Sequence, residues 1–248
     1  MFAIYKKELR SYFINPIGYI FLGIFLAVSA LLCCYTTIVS GSYDTQNYFF
    51  FLLLAFIVLI PLLTMRLFAE ERKLRTEQLL LTAPVSITGM VLGKFFASLT
   101  IFGGAMLASC INFIPLYVVA ANERGSASYE FYRIGPVTAE IFGCMFCMFL
   151  IGAAFIAVGT FISSLTENQL AAAVITITVI FAMVGISLLN SFITVYPIRA
   201  VLSWISVYGR FAAFANGIFD FAAILYYVSL SFAFLFLTVR VYEKRRWG

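Results

Sequence analysis

Residues Tyr48–Met65, YFFFLLLAFIVLIPLLTM, run directly into Arg66–Lys94, RLFAEERKLRTEQLLLTAPVSITGMVLGK. The first stretch holds eighteen residues without a charge, which is long enough to cross a hydrocarbon core about 30 Å thick. The second carries the densest group of charges in the chain. An apolar run that stops on such a charged stretch reads as a membrane helix meeting water.

The pattern repeats outward. Spans are expected at Ile17–Val39, Tyr48–Met65, Phe95–Ala120, Val137–Ile162, Leu170–Leu189 and Phe221–Val239, bounded where charges fall, because a charge at mid-bilayer costs about 3 kcal/mol. Apolar residues make up 63% of the 248 and charged residues only 11%, against roughly a quarter charged in an ordinary globular domain. Mean hydropathy is +1.04. The expected class is an all-α integral membrane protein of six transmembrane helices, with 1–248 as one domain.

The first charged run leads into a long apolar segment without a small-residue cleavage site, so it reads as a retained span and not a signal peptide. Before it, Phe2, Tyr5, Leu9 and Tyr12 recur at helical steps, with Lys6, Lys7 and Arg10 on the other side. That predicts an amphipathic helix in the interface, ending where Pro16 starts the first span. With six spans, twelve of the 16 Lys and Arg residues fall on one side, Lys94 counted among them, and Arg124, Arg133, Arg199 and Arg210 on the other. The bias places both termini and the charged loop in the cytoplasm. The net charge of +5 is thereby topogenic and gives no reason to expect nucleic acid.

Cys33, Cys34, Cys110, Cys144 and Cys147 all lie in expected spans, and histidine is absent, so Cys144-x-x-Cys147 reads as packing and no metal site is expected. Gly103, Gly104, Gly143, Gly152 and Gly159 offer close helix approach, within the subunit or at a dimer seam. Pro61, Asn112 and Pro115 mark candidate kinks. Glu140 is the acid expected within the hydrocarbon boundary. It reads either as a functional carboxylate or as a shallow one pairing with Arg133 or headgroups. Residues 191–220 are aromatic yet carry Arg199, Arg210 and Asp220. Two short helices are expected there, one from Pro197 to about Tyr208 with Gly209 as its stop, the next over Arg210–Phe219, ended by Asn216-Gly217. They read as a re-entrant pair or as a surface-lying aromatic anchor.

Within the charged loop, Glu70–Gln78 reads as a compact helix, with Glu71–Arg75 and Lys73–Glu77 as i,i+4 pairs. Leu79, Leu80 and Leu81 form an apolar tip, Thr82 and Pro84 break the helix, and Ser86 caps the next one. Three consecutive leucines suit a membrane surface or a partner's groove better than water.

Glu70-Glu71-Arg72-Lys73, Thr76-Glu77-x-Leu79-Leu80-Leu81-Thr82-x-Pro84-Val85-Ser86 and Gly93-Lys94-Phe95 together resemble the loop of ABC-2 type transporter permeases. Lys7-Glu8-Leu9-Arg10-Ser11-Tyr12-Phe13 and Asn15–Ile20 resemble the opening of the permease subunit associated with gliding motility, a group also found in non-gliding bacteria. Phe211-x-x-Phe214-x-x-Gly217-Ile218-x-Asp220, Tyr226-Tyr227, Phe234–Thr238 and Arg245-Arg246-Trp247 resemble its close. The chain departs from that pattern at Arg75, often Gly, and at Asn216, often basic.

The resemblance implies a half-transporter of the bacterial inner membrane. A cytoplasmic coupling helix would lie between spans 2 and 3, and re-entrant helices between spans 5 and 6. It implies a homo- or heterodimer clamped to two ATP-binding subunits, with room for an accessory extracytoplasmic subunit. The string G-x-x-x-x-G-K-[ST] is absent from the chain, so ATP and Mg would be bound by the partner and no catalytic residue is expected here. Coupling is expected through Glu70, Glu71, Arg72, Lys73, Glu77, Leu79–Leu81, Thr82 and Pro84, with Lys6, Lys7 and Arg10 anchoring the interfacial helix. Exchange of Glu71 and Glu77 for Lys is expected to uncouple ATPase stimulation without unfolding. The alternative is a membrane scaffold driven by the same ATPase without moving a solute. A membrane enzyme is disfavoured by the lack of histidine and of a base beside the cysteines.

Overall fold

The computed structural model describes residues 1–41, 43–77, 86–126, 135–189 and 206–247. The described elements are α1 (Phe2–Ile14), α2 (Pro16–Cys33) continued by a π-helical turn (Cys34–Val39), α3 (Gln46–Thr64), α4 (Ala69–Lys73) and α5 (Ile87–Ser109). A 3₁₀ turn (Cys110–Asn112), α6 (Phe113–Ser126), α7 (Thr138–Leu165), α8 (Gln169–Leu189), α9 (Val207–Ala215) and α10 (Phe221–Trp247) follow. All are helical, and no strand occurs among the described residues.

Among the described residues, six segments are long and apolar enough to cross a membrane: Pro16–Val39, Gln46–Lys73, Ile87–Ala121, Thr138–Leu165, Gln169–Ser187 and Phe221–Arg246. The second and fourth form the centre, with 61% of their most apolar window buried, against 22–33% for the others. Helix α7 touches α3, α5, α8, α9 and α10. Bilayer lipid is as apolar as leucine, so close packing holds these helices together. A Cβ on Gly159 would stand 2.2 Å from Thr64 Oγ1, and one on Gly152 would stand 2.2 Å from a Phe102 ring carbon. Those two glycines therefore serve contacts inside the subunit. Gly104 has no such neighbour within 4 Å. Phe25, Phe56 and Phe102, at centroid separations of 5.2–6.2 Å, fill the space between spans 1, 2 and 3.

The chain turns sharply into the first span. Asn15 is extended (φ −83°, ψ 146°), as a residue before proline must be, and Pro16 opens α2. The turn folds α1 back onto α5, where a Cβ at Gly93 would be 3.3 Å from Met1 O.

Several boundaries differ from expectation. The third span starts at Ile87 and not Phe95, capped by Ser86, whose Oγ accepts from Gly89 N–H. Lys94 therefore lies inside the helix and not in the loop. The span is broken by the 3₁₀ turn at Cys110–Asn112, beside the expected kink. Helix α3 continues past Pro61. The last span runs on to Trp247, so its basic tail is helical.

At the opposite end of the bundle, one helix is described where the second of two short ones was expected, and it starts earlier. Gly209 does not end a helix: it lies in the first turn of α9, and its N–H reaches Ser206 Oγ at 3.0 Å. Gly217, with φ +73°, supplies the stop. Nine residues rise about 14 Å, too short to cross a bilayer. Helix α9 leans on the start of α7, where Cys144 Sγ faces Phe214 O at 3.7 Å, and Tyr227 donates to Val207 O at 2.7 Å. The part of the first short helix from Pro197 to residue 205 lies outside the described residues.

Candidate functional site

The charged loop, the N-terminal helix, the start of span 3 and the ends of spans 4 and 6 meet at one end of the bundle. At the centre stands Lys94, only 1% exposed. Its ammonium lies 2.9 Å from Glu71 Oε1 and 3.1 Å from Glu8 Oε1, and donates to Leu67 O at 2.7 Å. The Phe68 ring centroid lies 5.1 Å from it. A lone buried cation would be costly, but this one is paired with two carboxylates and hydrogen-bonded to Glu8 and Leu67 O. Lys94 thereby ties α1, α4 and the end of the second span to the third.

Arg66, Arg72 and Arg245 are also paired with carboxylates of the chain. Arg66 holds Glu70 bidentately, at 2.7 and 2.9 Å. Arg72 reaches Glu167 at 2.9 Å and Leu165 O at 2.9 Å. Glu77 accepts from Arg245 at 3.1 Å, and Arg245 also donates to Ser164 O at 2.7 Å. Ser163 Oγ accepts from Phe68 N–H at 3.1 Å and Ala69 N–H at 3.2 Å, and lies 3.2 Å from Met65 O. These bonds fasten α4 to the ends of α7 and α10.

The expected loop helix is shorter than predicted. Helix α4 stops at Lys73, after five residues. Arg75 takes φ +56°, its N–H reaching Arg72 O at 3.1 Å, and Thr76 N–H bonds Glu71 O at 2.9 Å. That is a Schellman ending, with Arg75 in the left-handed position usually given to glycine. The departure from the family pattern at Arg75 falls on that position. The early stop also redirects the predicted i,i+4 pairs, since Glu71 turns to Lys94 and Glu77 to Arg245. Reversing Glu71 and Glu77 would therefore set Lys beside Lys94 and Arg245, so the fold would not be spared.

The remaining predicted residues separate into inside and outside. Lys73, Leu74, Arg75 and Thr76 are exposed, Leu74 at 64%. On α1, Lys6 and Arg10 face outward, while Lys7 lies 3.5 Å from Glu71. Of the expected stripe, Tyr12 is buried, Leu9 packs partly against the core and Tyr5 hydrogen-bonds Thr100 at 3.1 Å, while Phe2 is 76% exposed and Ile4 and Glu8 join the face turned to the bundle. Tyr12 donates to Leu63 O at 2.9 Å. Burial, reinforced by Glu8, raises its phenol above the ordinary range, so it remains a donor. Leu79, Leu80, Leu81, Thr82, Pro84, Arg199 and Arg133 lie outside the described residues.

At the far end, Glu140 occupies the first turn of α7, where the free N–H groups favour a carboxylate. Arg210 stacks 4.2 Å from Tyr226, and Asp220 caps α10 by accepting from Ala222 N–H at 2.9 Å. Among the described residues no three His, Cys, Asp or Glu side chains gather as for a metal.

Sequence reasoning missed Glu8, Ser163 and Glu167, and took Lys94 for a loop charge. Spacing offered a signal for two of them: Glu8 falls on the Ile4–Tyr12 face, and Lys94 lies two turns beyond the Ser86 cap. No protein-family model matches the chain, and no curated protein is significantly similar to it.

Proposed function

We propose that this chain is the transmembrane permease subunit of an ABC transporter of the ABC-2 type, working through α4 as its coupling element. The observation that carries the reading is the two-sidedness of 70–77. Glu70, Glu71, Arg72 and Glu77 are bonded inward, while Lys73, Leu74, Arg75 and Thr76 are exposed on the outside. A force applied to that outer edge would pass through Lys94, Ser163 and Arg245 into the third, fourth and sixth spans. A loop that merely ended a helix would not need such bracing.

The resemblance of the loop, opening and closing motifs to gliding-motility-associated permeases supplies the partners. Two copies of an ATP-binding subunit bind ATP and Mg, and a second permease subunit, identical or different, completes the translocation path. On this reading α4 and both termini are cytoplasmic, α1 lies in the inner-leaflet interface, and α9 belongs to an outer re-entrant element. ATP-driven closure of the two ATPases pushes on α4 and alters the packing of the spans, and the unidentified substrate is exported.

The test is purification of the tagged protein in mild detergent with mass spectrometry of what accompanies it. Recovery of an ABC-type ATPase in near-equal amount, with an ATPase rate that responds to cargo, supports the transporter. An ATPase that co-purifies but ignores every cargo offered would favour the scaffold. Recovery of this chain alone, after cross-linking in intact membranes, would overturn both.

A further inference from the structure

Beneath α1 lies a cavity of about 340 Å³, walled by α1, the end of the second span, α4 and the start of the third. Its lining includes Lys7, Ser11 and Asn15 from α1, Arg66, and the carboxylates of Glu8 and Glu71. Polar donors there are unused. Arg66 gives Nε and Nη2 to Glu70, but its Nη1 is buried with no partner, and the side chain is only 10% exposed. No hydrogen bond engages the side chains of Ser11 or Asn15. An unmade bond on a buried guanidinium costs free energy that a bound acceptor would recover.

We propose that this cavity binds the headgroup of an aminophospholipid. The phosphate is the group that suits Arg66, Ser11 and Asn15, since guanidinium, hydroxyl and amide N–H all donate to phosphate oxygens. The lining balances three cations (Lys7, Arg66 and Lys94) against three carboxylates (Glu8, Glu70 and Glu71), so a headgroup with no net charge suits it better than a bare anion. A headgroup carrying an ammonium one short linker from its phosphate meets both walls, with the ammonium beside Glu8 and Glu71, where it shares with Lys94 and Lys7 the carboxylates that they contact through Oε1. Position favours lipid over a soluble ligand. Asn15 immediately precedes Pro16, the first residue of a membrane-spanning segment, and Phe13 and Tyr19 form an exposed aromatic pair beside it, with centroids 5.6 Å apart. Aromatic residues of this kind sit at headgroup level. The site does not depend on the transporter reading.

The experiment uses the full-length protein in detergent, stripped of lipid, with short-chain phosphatidylethanolamine, short-chain phosphatidylglycerol and inorganic phosphate as probes. Native mass spectrometry reads the adducts, and thermal unfolding reads stabilisation. Ser11→Ala/Asn15→Ala is the variant, since neither residue belongs to the ion pairs that hold the fold. Phosphatidylethanolamine is expected to bind preferentially, and about tenfold or more weaker in the variant. Equal binding of phosphatidylglycerol would overturn the role of the carboxylates. Stabilisation by inorganic phosphate alone would overturn the lipid as occupant. Lipid binding unchanged in the variant would overturn the site.

Discussion

Lys94, two turns inside the third span, reaches Glu71 of the loop helix across 2.9 Å while only 1% exposed. Glu8 approaches the same ammonium at 3.1 Å from the N-terminal helix. One cation thus joins three segments that are far apart in sequence.

Removing that cation leaves two largely buried carboxylates with only the exposed Lys7, at 3.7 and 3.5 Å, to offset them. Lys94→Ala is expected to cost about 3–5 kcal/mol, as for other broken buried ion pairs. The triple replacement Glu8→Gln/Glu71→Gln/Lys94→Met removes the uncompensated charge and is expected to recover most of the loss. Thermal unfolding in detergent measures both; a single variant as stable as the parent would show that the cluster contributes little.

Arg75 is the one described non-glycine residue with positive φ, at 56°. A side chain there costs roughly 1–2 kcal/mol relative to glycine, offset in part by glycine's greater freedom in the unfolded chain. Arg75→Gly is therefore expected to stabilise modestly, and Arg75→Val to destabilise, since a β-branched residue tolerates the left-handed region worst. Both are read as shifts in unfolding temperature.

Two glycines of the same kind in sequence should respond differently. Gly159→Ala places its methyl 2.2 Å from Thr64 Oγ1 and is expected to cost about 1–3 kcal/mol by forcing α3 and α7 apart. Gly104→Ala meets nothing within 4 Å and is expected to change stability by less than about 0.5 kcal/mol. A similar loss at Gly104 would point to a close contact with another subunit on that face.

Sequence patterns carried the membrane class well because hydropathy over eighteen residues is a strong physical signal. Pro16 starting the first span, Ser86 capping the third and Gly217 ending α9 were legible for local reasons: a fixed φ, a hydroxyl acceptor and a left-handed turn. Lys94 reads as a loop charge in the sequence because a charge in an apolar run marks a boundary unless its counterions are known, and Glu8 and Glu71 come from elsewhere in the chain. Helix α4 is shorter than its local pattern predicts because Glu71 pairs with Lys94 and not with Arg75. Ser163 gave no signal, as a serine among apolar residues of a span is ordinary until the loop folds onto it.

On the proposed reading the outer edge of α4 meets an ATPase. A photo-cross-linking amino acid at Leu74, 64% exposed and free of the ion pairs, tests that contact when intact cells are irradiated. The expected product contains an ABC-type ATP-binding subunit and is absent when the same probe replaces the exposed Leu107 in the third span. Cross-linking at position 74 only to lipid, or to no ATP-binding protein, would rule out α4 as the coupling element.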